Sequence, residues 1–453
     1  MKLLRLKYGI VFLAFLMSCD SKLDIDPSQS ITTEQALGSE ANLLNLLIGT
    51  YAEAGENSTF GGITQMTADL IGVVDELSWN GTFSVPNEFI LKNINVDNHL
   101  VRANWANSYE VINKSNLILD NLEVITSSDQ LRLNTEAEAK FLRALCYFNL
   151  VRLFALPYEA DRSNSQLGLP LRLIGITDFN ADLSLARSNV EDVYDLIIND
   201  LTQSSATLPE TNTFFADKYA VKALLARVFF QQGNYTEART LADDVIQNSG
   251  HSLVSSFYLA FNNDEDGLED IFAFQVTDQD GSNDLIRYYA SQENGGVGGD
   301  IALEDSYFAL FDDPDNDVRA DFVYISPDNG LYLTSKYTNQ YGNVSIFRMA
   351  EMHLIRAESN FRSGTTVGLD PLTEINMLRN RSNASPLGAL TLDLIFNERQ
   401  LELGFEGHLI HDYKRTQRSI GEILYNDNRL VLPIPLAEMN TNPLIEQNPG
   451  YTN

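Results

Sequence analysis

The stretch 219–247 of this 453-residue chain predicts two amphipathic helices joined by a tight turn. In each half, apolar residues recur at spacings of three and four, which places them on one face of a helix. Gly233 and Asn234 separate the halves, and both residue types tolerate the left-handed backbone that ends a helix. The predicted apolar faces comprise Ala220, Ala223, Leu224, Val228 and Phe229, then Ala238, Leu241, Ala242 and Val245.

The same stretch has the spacing of a tetratricopeptide repeat, in which small residues let two helices approach closely. The positions that match are Leu225, Ala226, Phe229, Gly233, Tyr235, Ala238 and Ala242. One helical pair cannot bury its own apolar face, so further pairs are expected elsewhere in the chain.

Helical periodicity is concentrated in three parts of the chain and fades between them. The predicted helices cover residues 36–51 (ending near Gly49), 101–122, 136–156, 190–208, 347–362, 371–383 and 392–404. The segments between them are rich in Gly, Asn, Thr and Ser, with short strands possible at 268–276 and 322–326 and a glycine-rich loop at 295–299. We therefore predict a mainly α fold: about four tetratricopeptide-like pairs form a scaffold (36–56, 100–250 and 347–405), with loop-rich, minor-β insertions at 57–99 and 252–346.

The charge of the chain excludes one class of partner. Lys and Arg total 31 against 62 Asp and Glu, for a net charge of -31. Such a surface repels phosphate backbones, so no nucleic-acid partner is expected, and it offers no polybasic face for a membrane.

The first residues are typical of an export signal, with basic residues followed by a short apolar run, and we assign 1–18 to it. Cys19 follows a small residue at the end of that run, which resembles the lipobox of bacterial lipoproteins. This predicts cleavage before Cys19, lipid attachment there and a polar tether over 19–35; a soluble secreted protein is the alternative. Several acyl chains on one residue would anchor it stably. Cys146, in an apolar helical stretch, is interpreted as a buried thiol.

Several stretches together resemble one family, the SusD/RagB lipoproteins of the Bacteroidetes. The resemblance covers nearly the whole chain after the signal, in the family's order, although Ala155 stands where the family often has Gly and His411 where an aromatic is common. Its matching stretches are 136–157 (EAEAKFLRALCYFNLVRLFALP), 219–247, 347–364 (FRMAEMHLIRAESNFRSG), 397–416 (NERQLELGFEGHLIHDYKRT), 432–440 (LPIPLAEMN) and 442–451 (NPLIEQNPGY).

The resemblance implies a SusD-like domain over 36–453 in a non-enzymatic lipoprotein of the outer membrane, facing the cell exterior. Such a protein captures a glycan and delivers it to a SusC-type TonB-dependent transporter. Two alternatives remain open: a peptide cargo, as for RagB-like members, or a role as transporter lid with little direct ligand contact.

A glycan site needs flat aromatic faces for the sugar ring and polar groups for its hydroxyls, carried on loops. Trp79 meets the first requirement within a polar insertion, and Asp75 and Asn80 flank it. The alternative is a tryptophan that anchors its own loop. Trp105 lies on an apolar helical stripe and is predicted to be core.

The second candidate is the segment 283–289, a region that faces the ligand in the family. Arg287, Tyr288 and Tyr289 could stack on a sugar and donate hydrogen bonds. The alternative is a strand with tyrosines packed inward. Tyr332, Tyr337 and Tyr341 are interpreted as packing residues.

Other motifs are interpreted as structural, and no cofactor is expected. The turn 262–267 begins like a calcium loop, but Ala273 stands where a bidentate Glu is required, so a solvated acidic turn is preferred to a calcium site. His408 and His411 lack a third zinc ligand. The carboxylates and arginine of 398–406 resemble a buried ion-pair network, and no catalytic signature is recognisable. The residues of this network are Glu398, Arg399, Glu402 and Glu406.

Overall fold

The computed structural model describes residues 37–277 and 281–452, so the signal, Cys19 and the tether lie outside the described residues. The fold is mainly helical, as predicted. In chain order the helices are α1 (Glu40–Ala54), α2 (Ile63–Gly72), α3 (Asn87–Leu91), α4 (His99–Leu119), α5 (Asp129–Phe154), α6 (Val190–Thr207), α7 (Lys218–Gln232), α8 (Tyr235–Asn248), α9 (Asp284–Tyr289), α10 (Asp305–Phe308), α11 (Met349–Ser363), α12 (Pro371–Arg381), α13 (Leu392–Leu403), α14 (Leu409–Arg415) and α15 (Leu436–Thr441).

Eight of these helices stack in a continuous series, each packing against the next. They form four consecutive pairs, which confirms the predicted repeat architecture: α1 with α4, α5 with α6, α7 with α8, and α11 with α12. Each pair buries the face that its neighbour leaves open, as in other helical-repeat proteins.

The pair α7 and α8 has the turn that its sequence predicts. Gly233 ends α7 in the left-handed region, with φ 77°. The Asn234 side chain then caps α8 by accepting a hydrogen bond from the Glu237 backbone N–H at 3.3 Å. Ala238 and Ala242 are fully buried, so the small residues do lie where the two helices meet. On α7, Phe230 is more deeply buried than Phe229, which was the predicted position.

Two predictions about the first hundred residues are wrong. Helix α1 does not end near Gly49 but continues to Ala54, because Tyr51 and Ala54 are buried and stabilise the last turn. The insertion 57–99 contains the regular helix α2, all ten residues of which are buried. Its apolar residues Ile63, Met66 and Leu70 do recur at helical spacing, but the stretch is only ten residues long, so the pattern is too short to stand out from the polar insertion around it.

Among the described residues, six short strands form three antiparallel pairs: β1 with β3, β2 with β6, and β4 with β5. Strands β2 and β4 fall within the two predicted segments. The strands are β1 (Leu77–Trp79), β2 (Asp270–Phe274), β3 (Ile301–Leu303), β4 (Val323–Ile325), β5 (Tyr332–Thr334) and β6 (Val344–Arg348). The pair β1–β3 joins the two insertions, since Trp79 lies opposite Ile301 in the register.

One large hydrophobic core extends through the stacked helices and into the insertions. It includes Trp105, which is 4% exposed and contacts Tyr109 and Phe154 with ring centroids 4.9 and 5.0 Å away. Cys146 is a buried free thiol. Both were predicted to be core residues. In the described part of the chain, no helix combines the length and apolar character that crossing a bilayer requires.

The predicted buried ion-pair network is present for Glu398, Glu402 and Glu406, whereas Arg399, which was predicted to belong to it, pairs with Asp412 at 3.0 Å. Glu402 of α13 pairs with Arg348 at 2.9 Å and with Arg381, and it lies 3.6 Å from Arg319. Although burial opposes ionisation, the charges of Arg381, Arg348 and Arg319 hold the pKa of Glu402 well below its ordinary value. Because Arg319 belongs to the second insertion, this network ties that insertion to the helices.

Candidate functional site

The two segments singled out in the sequence meet in the structure. Strand β1 carries Trp79, and α9 carries Tyr288; their ring centroids are 5.9 Å apart with a 53° angle between the planes. The pairing of β1 with β3 brings them together, although 209 positions separate them along the chain (288 − 79). One surface therefore contains aromatic side chains from both insertions.

Trp79 anchors its own loop and is still partly exposed. Its indole Nε1 donates a hydrogen bond to the Phe83 carbonyl oxygen at 2.7 Å, which closes the turn after β1. Gly81 packs edge-on against the indole: a Cβ there would lie 2.4 Å from Trp79 Cζ2, so only glycine fits. A rigidly held aromatic face loses little conformational entropy when a ligand stacks on it.

The segment 283–289 is helical, so the alternative of a strand is wrong. The Asn283 side chain caps α9 by accepting from the Ile286 backbone N–H at 3.0 Å. This turn directs Arg287 outward, where its side chain is 47% exposed, and directs Leu285 and Tyr289 into the core.

Tyr288 and Tyr289 have different environments. Tyr288 is 7% exposed and forms the base of the surface beneath Trp79 and Arg287. Tyr289 is fully buried against Tyr337 and Phe405, at ring distances of 5.5 and 5.8 Å. A fully buried side chain cannot contact a ligand at this surface, so we remove Tyr289 from the candidate site.

Arg287 is the basic group of the site. Its guanidinium carbon lies 5.7 Å from the centre of the Tyr288 ring, and its Nη1 lies 3.9 Å from the Asp284 carboxylate. Burial raises the pKa of Asp284 to about 6, although the positive charge of Arg287 opposes that shift. The Arg287 carbonyl accepts from the Val297 N–H at 3.1 Å, which attaches the glycine-rich loop to α9.

Asn80 and Asp75 flank the indole on the chain. The Asn80 backbone N–H donates to the Asp300 carbonyl at 2.7 Å, and its side-chain amide donates to Ser78 Oγ at 2.9 Å. Asp75 is exposed in the turn before β1, and its carbonyl accepts from Ser306 Oγ. The roles predicted for these residues in ligand binding stay predictions.

Two residues of this surface were not identified from the sequence. Phe83 is 61% exposed beside Trp79. Its signal in the sequence is that it is an isolated phenylalanine in a turn rich in Gly, Thr and Ser. Asp300 lies across the β1–β3 pair: a Cβ on Gly81 would be 2.6 Å from its carboxylate Oδ2. No local pattern marks Asp300, because only the strand register brings it there.

The remaining tyrosines differ in exposure. Tyr337 packs as predicted, and its hydroxyl donates to the Phe405 carbonyl at 2.6 Å. Tyr332 and Tyr341 are 46% and 38% exposed, so they pack less completely than predicted. Tyr332 contacts Phe308 on the hairpin side of the insertion, with ring centroids 5.4 Å apart.

The acidic turn considered for calcium is engaged in internal contacts, whereas both ring nitrogens of His411 are buried without a hydrogen-bond partner among the described residues. The Asp264 carboxylate accepts from Asn339 at 2.7 Å, and Asp266 accepts from Asn343 at 2.8 Å. Burial lowers the pKa of both His408 and His411 well below the ordinary value. Within residues 37–277 and 281–452, no group of three or more His, Cys, Asp or Glu is arranged to hold a metal ion.

Fold and surface together define a helical-repeat protein with an aromatic and polar surface built on inserted loops. Two family models match the chain: one described as "Starch-binding associating with outer membrane" over residues 21–230, and one described as "SusD family" over residues 286–429. Together they cover more than half of the sequence. The chain belongs to the SusD/RagB family, as its motifs predicted.

Relatives and solved structures agree with this assignment. The chain is 26% identical to SusD-like protein P25 of Formosa agariphila, with 98% of each chain covered. It is 24% identical to a SusD-like protein of Bacteroides ovatus over 67% of this chain and 63% of the relative.

Among solved structures, a SusD superfamily protein of Bacteroides thetaiotaomicron has a TM-score of 0.80 at 24% identity, covering 92% of this chain and all of that one. A structure named as a laminarin-binding SusD-like protein has a TM-score of 0.75 at 21% identity, covering 91% of this chain and all of that one. At these identities the structural likeness establishes the fold.

Proposed function

We propose that this protein is a cell-surface lipoprotein that binds a glycan on the surface formed by Trp79, Phe83, Tyr288, Arg287 and Asp300. It delivers the glycan to a SusC-type TonB-dependent transporter of the outer membrane. Asn80 and Asp75 lie at the edge of the same surface and are proposed as accessory contacts.

The observation that carries this proposal is the contact of Trp79 with Tyr288 at 5.9 Å on a partly exposed surface. Aromatic faces bind the C–H faces of sugar rings, and a guanidinium and a carboxylate beside them can bond the hydroxyls. Both insertions contribute, and each is held by the scaffold, which is the arrangement expected for binding loops on a rigid frame.

The comparisons support the class of ligand and the cell compartment. The family model over 21–230 is described as starch-binding and associating with the outer membrane, and one structural neighbour is named for laminarin binding. Starch and laminarin are both polysaccharides. Outer-membrane association, the transporter partner and the lipid anchor at Cys19 are carried over from the family and form part of the proposal.

The expected affinity is modest. A partly exposed surface with one tryptophan and few polar groups buries only part of a sugar chain, so we expect dissociation constants from micromolar to millimolar, or about -8 to -4 kcal/mol. Weak capture suits a protein that has to release its cargo to a transporter.

A pair of tryptophan variants tests the proposal. Trp79→Ala should abolish measurable binding to the cognate glycan in affinity electrophoresis and isothermal titration, while the melting temperature falls far less than in a core variant, because the indole is only partly buried and holds only its own turn. Trp105→Ala is the matched control, since it removes the same side chain from the core. That control should lower stability by about 3 to 5 kcal/mol.

The outcomes separate the candidate functions. If the folded Trp79→Ala variant binds every glycan as the unmodified protein does, the assignment of this surface is wrong. If the unmodified protein binds no glycan alone but is required for uptake, the role of transporter lid is favoured; binding of peptides in place of glycans would favour a RagB-like cargo.

A further inference from the structure

The charges at the proposed glycan surface are arranged asymmetrically. One cation, Arg287, has two carboxylates within electrostatic range: Asp284 on its own helix, 3.9 Å from the Arg287 Nη1, and Asp300 on the loop that precedes β3. The chain as a whole carries a net charge of -31. A ligand that stacks on Trp79 therefore meets a surface with more negative than positive charge.

The Arg287 guanidinium forms no hydrogen-bonded ion pair among the described residues. Its closest carboxylate oxygen lies 3.9 Å away, beyond hydrogen-bond distance, and the side chain is 47% exposed. Among the described residues no hydrogen bond to this guanidinium is found. For comparison, the buried Arg348 has Glu406 at 2.7 Å and Glu402 at 2.9 Å. The Arg287 N–H groups are free to donate to a ligand.

Asp300 is held against the indole by the backbone. Its carbonyl accepts from the Asn80 N–H at 2.7 Å, and its carboxylate lies beside Gly81, which itself packs on Trp79. Burial raises the pKa of Asp300, while the charge of Arg287 opposes that shift, so the two groups are within electrostatic range of each other. The Asp300 carboxylate is therefore a hydrogen-bond acceptor next to the indole ring of Trp79.

We propose that this site selects uncharged glycans and that Asp300 is the residue that rejects uronate-containing or sulfated ones. The inference rests on the proposed function and names its ligand class. Hydroxyl groups of a neutral sugar donate to Asp300 and accept from Arg287 without placing a new charge on the surface. A carboxylate or sulfate in the same position would face two carboxylates and a single arginine.

The alternative use of Arg287 as an anion clamp fits the geometry less well. Arginine clamps for carboxylate or sulfate gain strength from bidentate, charge-assisted bonds in a cationic environment. Here Asp284 and Asp300 both act against a second anion. At separations near 7 Å and moderate salt, one unfavourable charge contact weakens binding by about five- to tenfold, and salt reduces the effect.

The first experiment is a polysaccharide panel on the protein without its signal, run beside Trp79→Ala. It includes neutral glycans (laminarin, amylopectin, galactomannan, xyloglucan) and anionic ones (alginate, polygalacturonate, carrageenan, dextran sulfate). We expect every binder that depends on Trp79 to be neutral. A uronate or sulfated glycan that binds through Trp79 more tightly than the neutral ones overturns the inference and leaves the proposed function intact. If no glycan binds through Trp79, the proposed function itself fails.

The second experiment isolates Asp300. Asp300→Asn should shift the ratio of the affinities for a sulfated derivative and for the bound neutral glycan by about fivefold toward the sulfated derivative at low salt, because the substitution removes the negative charge while the amide oxygen still accepts. Asp393→Asn is the control; it removes the same charge at a residue whose side chain is 83% exposed on another helix. Equal affinities of the two variants for the sulfated derivative overturn the role of Asp300.

A salt series on the unmodified protein gives an answer even if Asp300→Asn does not fold. Rising salt should narrow the difference in affinity between the neutral glycan and its sulfated derivative, because screening weakens the repulsion. If salt instead weakens binding of the sulfated derivative, its sulfate is attracted by Arg287, and the inference is wrong.

Discussion

The Trp79 surface and the Glu402 network use the same residue types in opposite ways. Around Glu402, arginines and carboxylates are buried and paired at short range, for example Arg319 with Glu398 at 2.6 Å. At the Trp79 surface, Arg287 is half exposed and 3.9 Å from its nearest carboxylate. The same chemical groups stabilise the fold in one region and are left available to a ligand in the other.

Burial explains the difference between the two regions. A charge that is removed from water must be compensated by partners nearby, or it destabilises the folded state strongly. Every arginine near Glu402 is buried, so each is paired. Arg287 keeps contact with water and needs no internal partner, so it can exchange water for the hydroxyls of a sugar.

The largest expected effect comes from breaking the buried network. Glu402→Gln removes the carboxylate that Arg348, Arg381 and Arg319 share and leaves this part of the buried network with an excess of positive charge, so we expect a loss of about 3 to 5 kcal/mol in the free energy of unfolding, measured by urea denaturation. Glu210→Gln is the control, since Glu210 is exposed and its ion pair with Lys218 at 3.3 Å should contribute less than about 1 kcal/mol. Equal effects of the two substitutions would mean that burial does not separate the two kinds of ion pair.

An intermediate effect is expected at Asp69, a buried carboxyl group that has no cation within 4 Å among the described residues. Burial raises its pKa from 3.8 to about 8, although the Gly407 N–H that donates to it opposes the shift. The folded state therefore binds more protons than the unfolded state between those values, so the stability that this group contributes is present at low pH and is lost as pH rises through about 8.

Asp69→Asn should remove that pH dependence. Between pH 5 and pH 9, urea denaturation should show the variant losing on the order of 3 kcal/mol less stability than the unmodified protein. Burial raises the pKa of Glu138 to about 7, so this residue contributes part of the dependence of stability on pH in both proteins. A variant with the same slope as the unmodified protein would show that Asp69 is ionised in the folded state despite its burial.

The smallest effect on stability and a selective effect on binding are expected at Arg287. Arg287→Met keeps an unbranched side chain like the aliphatic part of arginine and removes the donors, so glycan affinity should fall by about tenfold while stability changes by less than about 0.5 kcal/mol. Arg348→Met makes the same substitution in the buried network and should unfold or strongly destabilise the protein. If Arg287→Met lowers stability as much as Arg348→Met does, the contrast between the two regions is wrong.

The helical scaffold could be predicted because its information is local. Apolar residues of 219–247 recur with the helical period, and Gly233 and Asn234 mark the turn. The carboxylates of the network at Glu402 were also recognisable, because Glu398, Glu402 and Glu406 recur at spacings of four. Their arginine partners come from other segments and carry no local signal. Helix α2 was not predicted, because its apolar pattern extends over only ten residues within a polar insertion.

The candidate surface was only partly predictable. Trp79 was identified as an aromatic residue in a polar insertion, and Arg287 and Tyr288 by the resemblance to the family. The exposure of Tyr289 depends on the orientation of the six-residue helix α9, which directs this side chain into the core. Asp300 carries no local signal at all.

The sequence by itself determined the class of fold and the family, because periodicity, turn residues and motif order are properties of neighbouring positions. Only the tertiary structure decided what Trp79 contacts. The register of β1 against β3 brings Asp300 to the indole, and the packing of α9 brings Tyr288 beneath it. These contacts join residues more than two hundred positions apart, and their geometry depends on how the whole core packs.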